Sequence, residues 1–286
     1  MKFYISSAFL EAGEVVEIAR AADELGYEGM AIPDHVVNLE TLATPYPYTP
    51  DGQRRWQPFT DWLDPWVLVG ALAQVTARLK FVTTVYIPAM RDPYSAAKAI
   101  GTAAVLSGGR VELGVGVGWC EEEFDLLGQS FAKRGKRTDE MLELFKVLWQ
   151  PGWSEFEGEF YRTPRLEMTP TPPPIPIYSG GLSDIALRRA ARNDGWIGDL
   201  IGLDQAVASI DRIRELRSAN GLGMDGYTVI TPLIDAYLPA HYQRAEAAGI
   251  DAILTMPWMF YAGPNASLSE KIEGMRRFRT DLALDA

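Results

Sequence analysis

The sequence predicts an α/β fold, a (β/α)8 TIM barrel, on three observations. Eight short, mostly apolar runs punctuate the 286 residues, and the segments between them carry the three-to-four residue apolar period of a helix. Runs this apolar have no wet face, so they read as parallel strands covered on the outside by helices, and eight is the number that closes into a ring. The turn after the first run is Ser6-Ser7-Ala8, which lacks the glycines that a doubly wound open sheet usually places there. The open sheet is therefore the weaker alternative.

In chain order, strands are expected at Phe3-Tyr4-Ile5, Gly29 to Pro33, Phe81 to Ile87, Val111 to Val117, Ile175 to Tyr178, Trp196 to Ile201, Tyr227 to Leu233 and Ile250 to Met256. The first helix is read from Val15, Ile18, Ala22 and Leu25, which step by three or four. Leu268, Ile272, Met275, Phe278 and Leu282 repeat that step in the last helix, where Ser267 and Glu270 form a capping box. Two insertions exceed ordinary loop lengths. One follows the second strand, from His35 to about Asp61; the other follows the fourth, from Gln150 to about Pro174, and ends in Thr171-Pro172-Pro173-Pro174. Long excursions on a barrel usually cover its site, which is the expectation for both. Within the second, Glu157-Gly158 between Phe156 and Phe160 is placed to turn a small hairpin. With no internal repeat and no second core, residues 1–286 read as one domain with insertions.

Composition narrows the chemistry. The 27 Lys and Arg against 38 Asp and Glu give a formal net charge of −11, which disfavours nucleic acid and anionic membrane as partners and leaves a small-molecule substrate as the expectation. Cys120 is the one cysteine, so neither an internal disulfide nor a cysteine-based metal site is expected. The chain runs from Lys2 straight into Phe3-Tyr4-Ile5 without a signal-peptide pattern, and no apolar run approaches the ~20 residues of a membrane helix. A cytoplasmic location is expected.

In such a barrel, chemistry sits just past the strand ends. After the second strand come Asp34 and His35, where a fixed ring orientation combines with a proton that titrates near neutral pH. His241 lies in a helical segment and reads as a surface residue. The run Gly114-Val115-Gly116-Val117-Gly118-Trp119 alternates glycine with β-branched residues, which lets a flat ligand lie close to the backbone. It is not a dinucleotide fingerprint, since Trp119 stands where the third glycine belongs. Ser179-Gly180-Gly181-Leu182-Ser183 leads into a helix, which exposes N–H groups with Ser183 as the cap and suits a phosphate. Glu121, Glu122 and Glu123 begin another helix, where they complement its dipole or supply an acid. Metal catalysis finds no support, because the two histidines make neither HxH nor HExxH. A serine hydrolase would need GxSxG, which is absent.

These residues resemble the luciferase-like flavin- or deazaflavin-dependent oxidoreductases, especially the coenzyme F420-dependent branch, nearly end to end. The most specific part is Leu106-Ser107-Gly108-Gly109-Arg110 running into Val111 to Trp119, then Glu122-Glu123-Phe124. Phe131-Ala132-Lys133-Arg134-Gly135, Arg137-Thr138-Asp139-Glu140, Pro33-Asp34-His35 and Ser179-Gly180-Gly181 with Ala186 to Ala191 extend it. The resemblance implies a barrel enzyme, expected as a homodimer, whose ring cofactor lies over the third and fourth strand ends. It also implies a non-prolyl cis peptide at Thr84-Val85. By position, Asp34 and His35 face the ring, Val115, Gly116, Val117 and Gly118 flank it, and Gly180 and Gly181 bind the phosphate.

The implied reaction is hydride transfer between F420 and a small organic substrate, with His35 as proton donor or orienter, Asp34 aligning the ring and Glu122 as reserve acid. The alternatives are an FMN-dependent monooxygenase and a cofactor-binding barrel without catalysis. Some relatives carry an acidic residue directly after the last glycine, where this chain has Trp119, which speaks against sugar-phosphate oxidation. The substrate is expected under the segment Tyr46 to Trp62, among Trp56, Phe59, Trp62 and Trp258. Arg188 and Arg189 either assist an anionic tail or face solvent, with solvent favoured.

Overall fold

Strands of three to five residues cannot stand alone, and in the computed structural model, which describes residues 1–282, eight of them complete one another in a closed ring. The strands are β1 (Lys2–Ser6), β2 (Gly29–Ile32), β3 (Lys80–Thr83), β4 (Val111–Val115), β5 (Ser154–Glu157), β6 (Arg162–Leu166), β7 (Ile177–Gly180), β8 (Gly195–Ile197), β9 (Thr228–Thr231) and β10 (Ala252–Thr255). The ring runs β1-β2-β3-β4-β7-β8-β9-β10, every neighbouring pair is parallel, and β10 closes onto β1 with Phe3 opposite Ile253. Both faces of β2 and β4 are buried, as the apolar runs require. The fold is a (β/α)8 TIM barrel, and each of the eight expected strands is present.

The helices are α1 (Val15–Glu24), α2 (Pro65–Leu72), α3 (Pro93–Leu106), α4 (Glu121–Leu126), α5 (Arg134–Leu148), α6 (Asp184–Ala190), α7 (Leu203–Ala219), α8 (Pro239–Ala247) and α9 (Leu268–Asp281). Local chemistry sets several of their starts. Asp64 accepts the N–H groups of Trp66 and Val67 at the head of α2, Asp92 accepts that of Ser95 at α3, and Ser267 with Glu270 forms the expected capping box on α9. α2 differs from the rest in being apolar nearly all round: Pro65, Trp66, Leu68, Val69 and Leu72 are buried, while Val67 stands exposed on the outer face. Among the described residues no helix is long and apolar enough to cross a membrane.

At the amino-terminal end of the ring, the Glu112 carboxylate accepts the Tyr4 hydroxyl at 2.7 Å and lies 3.4 Å from the Lys80 ammonium. Burial, reinforced by Glu112, pushes the Tyr4 hydroxyl far above its usual range, so this polar floor keeps its proton and stays out of acid–base exchange.

Several strands stop short of the apolar runs that announced them. β3 ends at Thr83; the Thr84 N–H still donates to the Ile32 carbonyl at 2.7 Å, the Thr84-Val85 peptide is cis, and beyond it the chain pairs with β4 as a bridge from Tyr86 to Val115. The insertion after β4 departs more from expectation. Its hairpin, β5 and β6, is formed as predicted, with Glu140 on α5 accepting the N–H groups of Glu159, Phe160 and Tyr161 at 2.7–2.8 Å. The remainder returns along the outside, where Lys98 of α3 bonds the Thr169 carbonyl and Pro173 lies beside Gly109. This segment therefore covers helices and leaves the site to the first insertion alone.

Candidate active site

The carboxyl ends of the strands and the first insertion enclose a cavity of about 510 Å³. Ligand pockets of this kind run from roughly 300 to 1,000 Å³, so the space suits a ring-sized molecule. Asp34 and His35 enter it from the end of β2, Thr84 and Val85 from the bulge after β3, and Gly180 and Gly181 from the end of β7.

His35 is held from two sides. Its Nδ1 faces a carboxylate oxygen of Glu123 at 3.4 Å, and the rings of Trp56 and Trp62 lie 4.8 and 5.1 Å from its own. The other Glu123 oxygen accepts the N–H groups of Val36 and Val37 at 2.7 and 3.2 Å, so one carboxylate fixes both the imidazole and the chain that carries it. Burial alone would raise the Glu123 carboxyl, but His35 and these two N–H groups overcome it and hold the carboxyl below its ordinary value. Glu123 is thus an anion at neutral pH, and its position against Nδ1 leaves Nε2 for the cavity.

Asp34 has a different office. Its fully buried side chain takes both outer nitrogens of Arg91 at 2.6 and 2.7 Å and the N–H of Ile87 at 2.9 Å. Arg91 in turn lies over the Tyr86 ring at 4.4 Å, and burial pushes the Tyr86 hydroxyl up to about 12. Both oxygens of Asp34 are engaged, so the residue braces the bulge at 84–87; burial pushes its carboxyl above the ordinary range, against the opposing pull of Arg91 and the Ile87 N–H.

Of the remaining predicted residues, Gly118 lines the cavity, whereas Val115, Gly116 and Val117 do not. The reason lies in what already fills the space beside the glycines. A Cβ on Gly116 would come within 2.6 Å of Val85, one on Gly180 within 2.9 Å of the same side chain, and one on Gly114 within 1.9 Å of the Thr83 carbonyl. The glycine run is therefore required chiefly by the protein's own bulge. Glu122 also faces away from His35. Its carboxylate accepts the N–H groups of Ala43 and Thr44 at 2.6 and 2.9 Å and pins the insertion; although burial opposes, these amides hold it down at about 2, far from the range of a proton donor.

At Gly181, φ is +107°, and the N–H groups of Gly181, Leu182 and Ser183 donate to no protein acceptor among the described residues. Ser183 caps α6 through Ala186, as expected. Arg188 is exposed and paired with Asp184, but Arg189 is buried, with 2.5 Å to Asp139 and 3.1 Å to the Gly135 carbonyl, so the solvent-facing reading holds for the first and not the second. Trp56 and Trp62 form the expected wall. Phe59 is 98% exposed, and Trp258 lies in the core against Gly274, so neither joins them.

Two participants escaped the sequence. Arg91 is one. The pair Arg55–Asp199 is the second: it joins the first insertion to the end of β8 by two bonds of 2.8 and 2.9 Å at the cavity wall. Trp119, expected at the end of the glycine run, lines the cavity 5.1 Å from Tyr46. Among the described residues, no three His, Cys, Asp or Glu side chains gather as a metal ion would need.

The fold recurs in an F420-dependent secondary alcohol dehydrogenase solved with an F420–acetone adduct, at a TM-score of 0.77 and 15% identity over 99% of each chain. It recurs also in the oxygenating component of a type II Baeyer–Villiger monooxygenase from Pseudomonas putida bound to FMN, at a TM-score of 0.63 and 17% identity over 96% and 84%. In sequence, an uncharacterized protein of Mycobacterium tuberculosis is 38% identical over 97% of both chains. An F420-dependent glucose-6-phosphate dehydrogenase of Segniliparus rotundus is 29% identical over 96% of this chain and 71% of its own. The two dehydrogenases are thus named for F420, and the monooxygenase component holds FMN. The luciferase-like monooxygenase family matches residues 5–236, most of the barrel, and the chain belongs to that family.

Proposed function

We propose that this protein is an F420-dependent oxidoreductase that exchanges a hydride between the deazaflavin and a small organic substrate, with His35 handling the proton. The observation that carries the reading is the His35–Glu123 pair, set into a ring-sized apolar cavity at the catalytic end of the barrel. The residues present fit a tricyclic ring with an anionic tail. Val85 offers it a flat apolar floor, and the three unpaired amides at 181–183 offer the tail its hydrogen bonds.

When bound, the deazaflavin supplies the hydride chemistry. The chain does the rest. Glu123 fixes the imidazole so that Nε2 faces the reacting oxygen, Asp34 and Arg91 hold the floor in place, and the tryptophans exclude water from the proton's path. His35→Ala is expected to keep cofactor affinity and to lower turnover by about 10²-fold or more.

Titrating the purified protein with F420 and with FMN, followed by fluorescence, tests the cofactor; oxygen uptake by the reduced complex tests the chemistry. F420 binding without oxygen uptake supports the reading. Preference for FMN together with oxygen uptake assigns a flavin monooxygenase, and binding without turnover of any substrate assigns a non-catalytic barrel. The exposed apolar faces of α2 and the end of α3, at Val67, Val105 and Leu106, support a homodimer formed through them.

A further inference from the structure

Each charged side chain on the cavity wall already has a partner within the chain. Asp34 is chelated by Arg91, Glu123 faces His35, and Arg55 is held by both oxygens of Asp199 while also donating to the Tyr48 carbonyl at 2.7 Å. Among the described residues that line the cavity, Arg55 is the one Lys or Arg. An entering anion would have to displace Asp199 from it and would then sit near three carboxylates. The rest of the substrate side is uncharged and mostly aromatic or aliphatic: Trp56, Trp62 and Trp119 surround His35, Leu200, Met256 and Met259 line the wall beyond, and Tyr46, Tyr48 and Thr255 add neutral hydroxyls.

We propose that the substrate half of this cavity takes an uncharged, ring-bearing alcohol or ketone and rejects phosphorylated and carboxylated compounds, with the Arg55–Asp199 pair setting that choice. Apolar contact with the tryptophans supplies the affinity, and His35 Nε2 supplies a polar contact for the oxygen. The restriction to alcohols and ketones rests on the proposed redox function; the discrimination by charge does not.

The test uses the full chain without cofactor, in inorganic phosphate that occupies the amides at 181–183, read by quenching of tryptophan fluorescence. The probes are cyclohexanol and cyclohexanone against cyclohexanecarboxylate and cyclohexyl phosphate, which share one ring and differ in charge. The neutral pair is expected to bind about 10-fold or more tightly than the anions, a difference of about 1.4 kcal/mol. Asp199→Asn frees Arg55 and is expected to raise anion affinity about 10-fold, and adding Arg55→Gln to it is expected to remove that gain. Native protein that binds the anions as tightly as the neutral probes overturns the proposal, and this arm needs no variant. A folded Asp199→Asn protein with unchanged anion affinity overturns it as well. Failure to bind F420 with this ranking intact refutes the cofactor assignment alone; F420 binding with the ranking reversed refutes the selectivity alone.

Discussion

Glu123→Gln replaces one oxygen by an NH2 group at nearly constant volume. In the native site one oxygen takes the Val36 and Val37 N–H groups, and the other faces His35 Nδ1 at 3.4 Å. A glutamine keeps the first pair with its carbonyl, which leaves its NH2 directed at Nδ1. Two donors cannot face one another, so the neutral imidazole must move its hydrogen to Nε2. The atom presented to the cavity then changes from acceptor to donor. Losing one charge-assisted contact costs about 1–2 kcal/mol. For 286 residues at about 2.1 cal/mol/K each, the unfolding entropy is near 0.6 kcal/mol/K, so Tm is expected to fall by about 2–3 °C. Turnover is expected to fall by about 10²-fold. The chain has two histidines, so long-range ¹H–¹⁵N correlation at a pH where the rings are neutral reads the tautomer directly, with His241→Ala to assign the signals. Native His35 carrying its hydrogen on Nε2, or an unchanged tautomer in the variant, would refute the reasoning.

Asp34→Asn leaves Arg91 without its counter-charge beneath the bulge; the expected loss is about 3–5 kcal/mol, or a Tm lower by about 5–8 °C on the same entropy, and a calorimetric scan within 1–2 °C of native would contradict the bracing role. The Glu122 carboxyl lies at about 2 against an ordinary 4.5, so its hold on Ala43 and Thr44 is complete above about pH 4.5 and is lost as pH falls toward 2. Amide exchange at those two residues, corrected for the intrinsic rate, is expected to accelerate through that window, and Glu122→Gln is expected to abolish the dependence. Val67→Glu places a charge on the apolar face of α2; sedimentation equilibrium is expected to find a native dimer and a monomeric variant, and a native monomer would remove that interface.

The barrel was legible because its cause is local. Each strand is a continuous apolar run and each helix a periodic one, and these patterns survive without knowledge of neighbours. Asp34 and His35 were legible by position, since a barrel places chemistry just past its strands. The choice among Glu121, Glu122 and Glu123 was not, because three identical residues at a helix start differ only in which one the helix turns inward. In α4 that is Glu123, buried beside Phe124. Aromatic residues gave the same difficulty: nothing in the sequence separates Trp62, on the cavity wall, from Trp258, packed on α9, or from Phe59, left in solvent. The glycines from 114 to 118 looked like room for a ligand, yet the neighbour that demands Gly116 is Val85, thirty-one positions earlier in the chain. Pairings such as Asp34–Arg91 and Arg55–Asp199 depend on separations of 57 and 144 residues, for which sequence spacing carries no signal.

Val85 has a consequence for anyone who wishes to alter this enzyme. Because it occupies the volume that side chains at 116 and 180 would claim, the three positions behave as a single steric unit gathered at the ends of three strands. A library that enlarges one of them at a time should return collapsed clones, whereas trimming residue 85 while enlarging 116 or 180 redistributes the same volume. Such compensated exchanges would recontour the bed of the cavity and leave the His35–Glu123 pair untouched.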